Sequence, residues 1–324
     1  MTTTKQQVLF ELLTHKGDWL SGDQLAADLK ISRESIWKAI NSLKKKNHQI
    51  NSRKNLGYQY ISTPFLDEDI VHHYLDKTLV DNMFIEQEVS STQHLAKQYL
   101  TTHRIDKPLF FAAESQSAGY GRRGRTFYSP ATSGLYFTVI LPNTTDNWDQ
   151  VGLITTNMAV VVAKTLEIFF PNTHIDLKWV NDLFIGQKKV GGIITEANIE
   201  LESNSASAFI MGIGLNLTTK NFPEQLTNIA RGIDDTVSVD RNLLLATLIK
   251  NILNAYYHGD SAALLEEYRR RSNVIGKHVT LKLGNQTIQG TAKQIANNGG
   301  LVIEDETGMT KSFTSGEVTK TYVK

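Results

Sequence analysis

The first sixty residues carry a succession of short helical patterns that ends in a hairpin pattern, and this succession narrows the fold more than any other feature. Apolar residues recur at helical spacing in three segments, "KQQVLFELLTH", "SGDQLAADL" and "RESIWKAINSLKKK". Ser21 and Ser32 stand where N-caps of the second and third helices belong. The following "HQINSRKNLGYQYIS" alternates around Asn55 and Gly57, as a β-hairpin does. Two helices joined by a tight turn and followed by a hairpin predict a winged helix-turn-helix.

The third helix has a polar face that suits DNA. Lys38, Asn41 and Lys45 lie opposite its apolar side, and an asparagine can read a base edge while lysines meet phosphates. The alternative is that the lysines only complement the helix dipole at a solvated end. The complete helix-turn-helix with its hairpin favours DNA, and the candidate contacts are Arg33, Ser35, Lys38, Asn41, Lys45, Arg53 and Lys54.

The charge distribution separates the same segment from the rest of the chain. Residues 1–63 hold ten Lys and Arg against five Asp and Glu, a net of +5, while the remaining 24 basic and 28 acidic residues give −4. A basic module on a mildly acidic body predicts a polyanionic partner for the first part alone. The segment "TPFLDED" marks the predicted boundary, and the domains are expected at 1–63, 64–274 and 275–324.

Several classes of protein are excluded by composition. The chain has no cysteine, so it has neither disulfides nor a thiolate nucleophile, and its nine histidines form no HExxH pair. We therefore expect no metal site built from protein ligands. No apolar run has the length of a signal peptide or a membrane span, which predicts a cytoplasmic protein without membrane contacts.

The body of the chain reads as an α+β fold. Segments with strand character alternate with three helical segments, over 91–103, 148–170 and 241–257, but without a strict βαβ order. After residue 275, short strands are separated by "GN", "NNGG" and "TG" turns, which predict a small antiparallel barrel.

The loop "SAGYGRRGRTF", at 117–127, combines three glycines with three arginines and contains no acidic residue. Its glycines have the spacing of a dinucleotide-binding turn, but arginines occupy positions that such a turn keeps small. Further polar groups follow predicted strands, and no Ser nucleophile elbow accompanies them. Such groups suit a reaction that holds two substrates together, at least one of them phosphorylated. These motifs are "SSTQ" (90–93), "KWVND" (178–182), "KKVGG" (188–192) and "GIGLNL" (212–217).

With these motifs in this order, the chain resembles the bacterial bifunctional biotin–protein ligases that also repress the biotin operon. The resemblance covers nearly the whole length and implies a winged helix, a ligase domain of the class II synthetase type and a C-terminal SH3-like barrel. It implies that ATP and biotin, with Mg²⁺, form biotinyl-5′-AMP, and that biotin passes to a lysine of a biotin carboxyl carrier protein. It also implies repression at operator DNA by an adenylate-bound homodimer.

The resemblance assigns roles by motif position. The catalytic group implied comprises Arg122, Lys189 and Asp182. Biotin contacts are implied at Ser91, Thr92, Gln93, Gln116, Tyr120, Gly121, Arg122 and Lys189. Nucleotide contacts are implied at Arg123, Arg125, Phe127, Lys178, Asn216 and Arg241. The chain departs from the family at Tyr120, which replaces the first arginine of the usual Gly-Arg-Gly-Arg loop, and at Val180, which replaces a proline. The C-terminal "GEVTKT" also lacks a late arginine that some relatives use near the nucleotide.

Two other functions remain open at this point. A lipoate–protein ligase shares the adenylation chemistry, although hydroxyl and amide side chains suit the ureido ring of biotin better than a dithiolane. A catalytically impaired, biotin-sensing repressor is the second, and the Tyr120 replacement is the feature that favours it.

Overall fold

The computed structural model describes residues 2–75, 82–143, 151–200 and 205–322. The chain divides into two compact units. The first comprises Met1–Lys77 with Asp240–Ala246, and the second comprises Thr78–Val239 with Thr247–Lys324.

The first unit confirms the predicted helix-turn-helix and hairpin. Its elements are α1 (Thr4–Thr14), α2 (Gly22–Leu29), α3 (Arg33–Lys45), β1 (Gln49–Arg53), β2 (Gly57–Ser62) and α4 (Glu68–Tyr74). Ser21 accepts a hydrogen bond from the Gln24 amide and Ser32 from the Ser35 amide, so both act as N-caps. The apolar faces of the three helices pack into one core around Val8, Leu25 and Ile40.

A close approach of two backbones holds the hairpin to the helices. Leu20 and Tyr58 exchange backbone hydrogen bonds of 2.8 Å in both directions. Gly57 lies beside them with φ +100°, and a Cβ there would stand 2.0 Å from the Leu20 carbonyl oxygen. This position in the hairpin therefore requires glycine.

The first unit continues beyond residue 63, where the sequence suggests its end. Asp67 caps α4 by accepting from the Ile70 amide, and its other carboxylate oxygen lies 3.5 Å from His48 Nε2. Gln6 Nε2 donates to Asp69 at 2.6 Å, and Ile70 belongs to the core of the unit. Pro64 and the change of charge thus precede a helix that packs back onto the winged helix.

A mixed seven-stranded sheet forms the centre of the second unit, as the α+β interpretation predicts. Its strands are β3 (Asn82–Val89), β4 (Leu109–Gln116), β5 (Gly134–Pro142), β6 (Asp176–Lys178), β7 (Asp182–Ile185), β8 (Lys188–Glu200) and β9 (Ser205–Asn216). The spatial order is β3-β4-β5-β9-β8-β7-β6, with β3 and β4 parallel and every other pair antiparallel. The segment 175–185, which reads as one strand, forms the two short strands β6 and β7.

The second unit contains three whole helices, α5 (Thr92–Leu100), α6 (Val151–Phe169) and α8 (Ser261–Arg271), among its described residues. It also contains most of α7 (Arg241–His258), whose first turns belong to the first unit. The expected helix over 148–170 is found as α6, and residues 148–150 lie outside the described residues. By length and composition α6 is apolar enough to cross a membrane, but most of it is buried inside the unit, as in a core helix. The sequence interpretation did not include α8, which Asp260 caps through the amides of Ala262 and Ala263.

The C-terminal strands form an antiparallel sheet within the same unit. They are β10 (His278–Leu283), β11 (Gln286–Ile295), β12 (Leu301–Glu304), β13 (Thr310–Phe313) and β14 (Glu317–Tyr322), in the order β13-β12-β11-β10-β14. The predicted strands and turns are confirmed. Closure of this sheet into an SH3-like barrel stays a prediction.

Candidate active site

The second unit contains a cavity of about 710 Å³ on the large sheet. It is bounded by the arginine loop, the ends of β6 and β7, the middle of β8 and β9, and the beginning of β14. Nearly all the residues that the sequence analysis assigned to biotin or nucleotide line this one cavity. They are Ser91, Thr92, Gln93, Gln116, Tyr120, Gly121, Arg122, Arg123, Arg125, Phe127, Lys178, Asp182, Lys189 and Asn216.

The arginine loop is a compact hairpin. The Gly121 amide donates to the Arg125 carbonyl and the Phe127 amide to the Gly119 carbonyl, each at 2.8 Å. Phe127 then lies against β9, where a Cβ on Gly214 would come within 2.7 Å of its ring. Glycine at position 214 therefore lets an aromatic ring pack onto the strand and form part of the cavity wall.

Each of the three arginines of the loop also contacts the C-terminal sheet or the turn before its last strand. Arg122 Nη1 donates to the Gly316 carbonyl at 3.1 Å, and Arg123 Nη2 donates to the Lys282 carbonyl at 2.9 Å. Arg125 pairs with the Glu317 carboxylate at 2.8 Å. These contacts hold the loop against the C-terminal strands, with its positive charge at the cavity.

Lys189 and Asp182 form an ion pair at the cavity, with 2.6 Å between Nζ and Oδ1. The β6–β7–β8 meander brings these groups together. Asp182 on β7 pairs with Lys178 on β6 and with Gly192 on β8, the strand that also carries Lys189. Burial lowers the pKa of Lys178, and the neighbouring Asp182 opposes that shift. Cations and one carboxylate therefore meet at the strand ends.

Arg122 lies at the same part of the cavity. Its guanidinium is 3.5 Å from Asn181 Oδ1, and Asn181 in turn donates to the Ile193 carbonyl at 2.6 Å. Burial lowers the pKa of Arg122, with Asp182 acting in the opposite direction, yet a guanidinium remains charged at neutral pH. The structure therefore brings Arg122 and Lys189 into one cavity.

A wall of uncharged polar side chains lies at the start of α5. Ser91 caps this helix through the Gln93 amide. The Thr92 amide donates to Gln116 Oε1 at 2.9 Å, which directs Gln116 Nε2 to Ser129 Oγ, also at 2.9 Å. The amide and hydroxyl groups of this wall supply both donors and acceptors.

Asn216 adds an acceptor that no described residue satisfies. The side chain is buried at the end of β9, and its Oδ1 has no hydrogen-bond partner in the part of the chain that the structure describes. A buried acceptor without a partner is costly, by about 1–3 kcal/mol. A ligand that donates a hydrogen bond at this point would satisfy it.

One predicted nucleotide contact does not line the cavity. Arg241 begins α7 in the first unit, where its guanidinium donates to the Pro64 carbonyl, and it is not among the residues that line the cavity. Conversely, the sequence interpretation gave no role to Asn181, Glu317 or Ile193, which do line it. Asn181 had a signal within "KWVND", whereas Glu317 is recognisable only from its contacts with the arginines.

Trp179 also lines the cavity but has a structural role. It is buried, and its Nε1 donates to the Gly299 carbonyl at 2.9 Å. Among the described residues, no three His, Asp or Glu side chains are arranged to hold a metal ion. A cation at this cavity would therefore need ligands from a substrate or water.

The first unit presents the predicted DNA-contacting side chains at its surface. Lys38, Lys45, Arg53 and Lys54 are exposed, and Asn41 is half-exposed on the same helix as Lys38. Exposed ion pairs join Arg33 to Asp23 at 3.1 Å and Lys38 to Glu34 at 2.7 Å, and Ser35 Oγ lies 2.9 Å from Ser32 Oγ. One further side chain of α3, Trp37, is 58% exposed, and the sequence interpretation gave it no role.

Comparison with known families agrees with this arrangement. Residues 85–216 match the biotin/lipoate A/B protein ligase family, residues 4–59 match an HTH domain, and residues 274–320 match the biotin protein ligase C-terminal domain. The central domain is thus similar to the biotin/lipoate A/B protein ligase family. Its cavity is therefore the place where the motifs of a ligase family meet.

Curated relatives are similar to this chain over nearly its whole length. The chain is 28% identical to the bifunctional ligase/repressor BirA of Bacillus subtilis, over 97% of this chain and 98% of the relative. It is 26% identical to the BirA of Escherichia coli, over 94% of each. The biotin protein ligase from Aquifex aeolicus in complex with biotin and ATP superposes with a TM-score of 0.61 and 27% identity, over 74% of this chain and 97% of that one.

Proposed function

We propose that this protein is an ATP-dependent biotin–[biotin carboxyl-carrier protein] ligase and a biotin-operon repressor. The observation that carries the ligase proposal is the convergence of Arg122 and Lys189 on one cavity beside an uncharged polar wall. A carboxylate and a triphosphate repel each other, so a site that joins them needs concentrated positive charge more than it needs a nucleophile.

Biotin lies along the polar wall in this proposal. Thr92, Gln93 and Gln116, with Tyr120 and the backbone of Gly121, face its ureido ring, and its carboxylate points to Lys189 and Arg122. This orientation pairs the neutral donors and acceptors of the ring with amides and hydroxyls, and pairs its charge with cations. A dithiolane would leave much of the wall without partners, which favours biotin over lipoate.

The nucleotide occupies the other part of the cavity. The ring of Phe127 offers adenine an apolar face, and Asn216 Oδ1 accepts from an adenine amino group. Arg123, Arg125 and Lys178 are the cations for the phosphates. The pocket itself lacks a protein metal site among its described residues, so Mg²⁺ would enter with the triphosphate, bound by phosphate oxygens and water.

The chemistry follows from these positions. A biotin carboxylate oxygen attacks the α-phosphorus, the bond to the β-phosphate oxygen breaks, and pyrophosphate leaves. Lys189 and Arg122 neutralise the charge that gathers between the two anions. In the second step the amine of the carrier lysine attacks the acyl carbon and AMP leaves, while Asp182 accepts the proton that the amine loses. The arginine loop shields the mixed anhydride from water.

Repression is the second part of the proposal. The winged helix would bind operator DNA, with biotinyl-5′-AMP as corepressor and a homodimer as the DNA-binding species, because one such module contacts only a few base pairs. The protein would act in the cytoplasm, where carrier protein and operator are both present. By thermodynamic linkage, operator DNA should raise the affinity for the adenylate by the same factor as the adenylate raises that for DNA.

One experiment tests the ligase and separates its alternatives. Purified protein is incubated with ATP and either biotin or lipoate, examined by native mass spectrometry, and then given a carrier domain. Retained biotinyl-5′-AMP and a biotinylated carrier are expected. Product from lipoate alone would indicate the lipoate ligase, and bound biotin without adenylate or product would indicate a sensor that has lost catalysis.

A further inference from the structure

A lysine–glutamate pair adjoins the cavity without lining it, and the proposed reaction leaves it without a role. Lys97 on α5 and Glu196 on β8 are separated by 2.7 Å between Nζ and Oε2. Lys97 Nζ also lies 3.2 Å from the hydroxyl oxygen of Tyr120, the residue that stands in the loop where the family usually has arginine.

The donor chemistry of Lys97 fixes the direction of the Tyr120 hydroxyl. An ammonium group has three donors and no acceptor, so the tyrosine oxygen must accept in this contact. The hydroxyl proton therefore points away from Lys97. Lys97 is the one partner that the described residues give this hydroxyl, and Tyr120 lines the cavity. Tyr120 is thus left with a proton to donate to a ligand.

Lys97 stays charged in this position. Burial lowers its pKa, but hydrogen bonds to Glu196 and Tyr120 outweigh burial and raise it above the usual value. A hydroxyl that accepts from a cation becomes a stronger donor, because hydrogen bonds in a chain polarise one another. Lys97 therefore acts on the cavity through Tyr120.

Glu196 connects the ion pair to the polar wall by a hydrogen bond with Gln93. Its carboxylate accepts from Gln93 Nε2 at 2.8 Å, and an ionised carboxylate can only accept. This contact orients the Gln93 amide, so that its Oε1 faces the Thr138 hydroxyl at 3.2 Å. Thr138 also lies 2.9 Å from the Thr92 hydroxyl, and Thr92 contacts Gln116. One ion pair therefore orients the Tyr120 hydroxyl on one side and the Gln93 amide of the polar wall on the other.

We propose that Lys97 and Glu196 are positioning residues that make Tyr120 a hydrogen-bond donor to the ureido oxygen of biotin. The Tyr120 hydroxyl, oriented by Lys97, thus supplies the hydrogen-bond donor that an arginine side chain would supply at this position. The ureido end is the part of biotin that Tyr120 reaches, since Tyr120 belongs to the network of the uncharged wall. This inference rests on the proposed ligase function.

Biotin affinity of the full chain, measured by calorimetry, tests the inference. Y120F removes the hydroxyl and keeps the ring, and K97M removes the charge and keeps most of the side-chain length. Each is expected to weaken biotin binding about tenfold, as expected for loss of a charge-assisted hydrogen bond. The double variant should be no weaker than either single variant, because both changes remove one interaction. K97R, which keeps a cationic donor, should restore binding to within about threefold of the parent protein.

The matched control is K293M. Lys293 is also a partly exposed lysine paired with a glutamate, Glu304, at 3.3 Å, but it lies on the C-terminal sheet and does not line the cavity. Its replacement should leave biotin affinity unchanged. ATP affinity should be the same in all variants, since a positioning role at the ureido end does not extend to the nucleotide.

Three results would overturn the inference while leaving the ligase proposal intact. They are parental biotin affinity in Y120F, additive losses in the double variant, and an equal loss of ATP affinity in K97M, which would mean a general structural role. Failure of the parent protein to bind biotin is a different result, and it would overturn both proposals.

Discussion

Replacing Lys189 with methionine should slow adenylation much more than it weakens folding. The ammonium lies 2.6 Å from Asp182 Oδ1, and both side chains are about a third exposed, so solvent screens the pair in the resting protein. The larger loss comes when biotin carboxylate and α-phosphate meet. Removing one preorganised donor at developing negative charge costs about 3–4 kcal/mol, or 10²–10³ in rate. K189M should also leave the Asp182 carboxylate without its counter-ion beside two anionic substrates.

The chain supplies its own control for this change. Lys188 is adjacent on β8, but it donates to the Thr227 carbonyl at 2.8 Å and does not line the cavity. Single-turnover release of pyrophosphate, at saturating ATP and biotin, should fall 10²–10³-fold in K189M, and K188M should stay within about twofold of the parent. Equal rates in K188M and K189M would refute the idea that charge at this cavity drives the reaction.

The remaining predictions concern the nucleotide, the DNA and the stability of the first unit. G214A should displace the ring of Phe127, since the added Cβ would stand 2.7 Å from it, and should weaken ATP binding about tenfold in calorimetry with biotin affinity retained. W37A should lower operator affinity about tenfold in fluorescence anisotropy while carrier biotinylation is unchanged, because the exposed indole of Trp37 can contact thymine methyl groups. D67N should cost about 1 kcal/mol in urea unfolding at pH 7, because the charged partner of His48 is lost, and this cost should shrink as the pH falls through the folded pKa of Asp67. Burial raises the pKa of Asp67, but its hydrogen bond with His48 and the Ile70 amide lower it overall, so the stabilisation is present above the unfolded pKa and is lost as pH falls through the folded one.

The parts of the fold that follow from periodicity were predictable. The winged helix and most of the strands have apolar residues at the spacing of their element, and Ser21 and Ser32 mark helix starts in the sequence as in the structure. The end of the first unit was not predictable in this way. Pro64 and the acidic run resemble a linker, whereas the contact of Asp67 with His48 that keeps α4 on the winged helix is tertiary.

The candidate site, too, was predictable only in part. Motifs that follow strands were expected to meet, and the loop arginines, Lys189 and Asp182 do line one cavity. Arg241 was assigned from the family resemblance without a quoted motif of its own, and in the structure it belongs to the first unit and does not line the cavity. Lys97 and Glu196 lie 99 positions apart and belong to no motif. Their contact arises from the packing of α5 on the sheet, so the sequence alone did not indicate it.

The contacts that hold the arginine loop bear on how the C-terminal sheet can evolve. Arg122 and Arg123 donate to the backbone carbonyls of Gly316 and Lys282, and a carbonyl is present whichever amino acid occupies the position. Mutation at residue 282 can therefore accumulate without releasing Arg123, whereas Arg125 depends on an acidic side chain at Glu317. Homologues with strongly diverged C-terminal strands would still keep the loop in place, provided that the chain follows the same path.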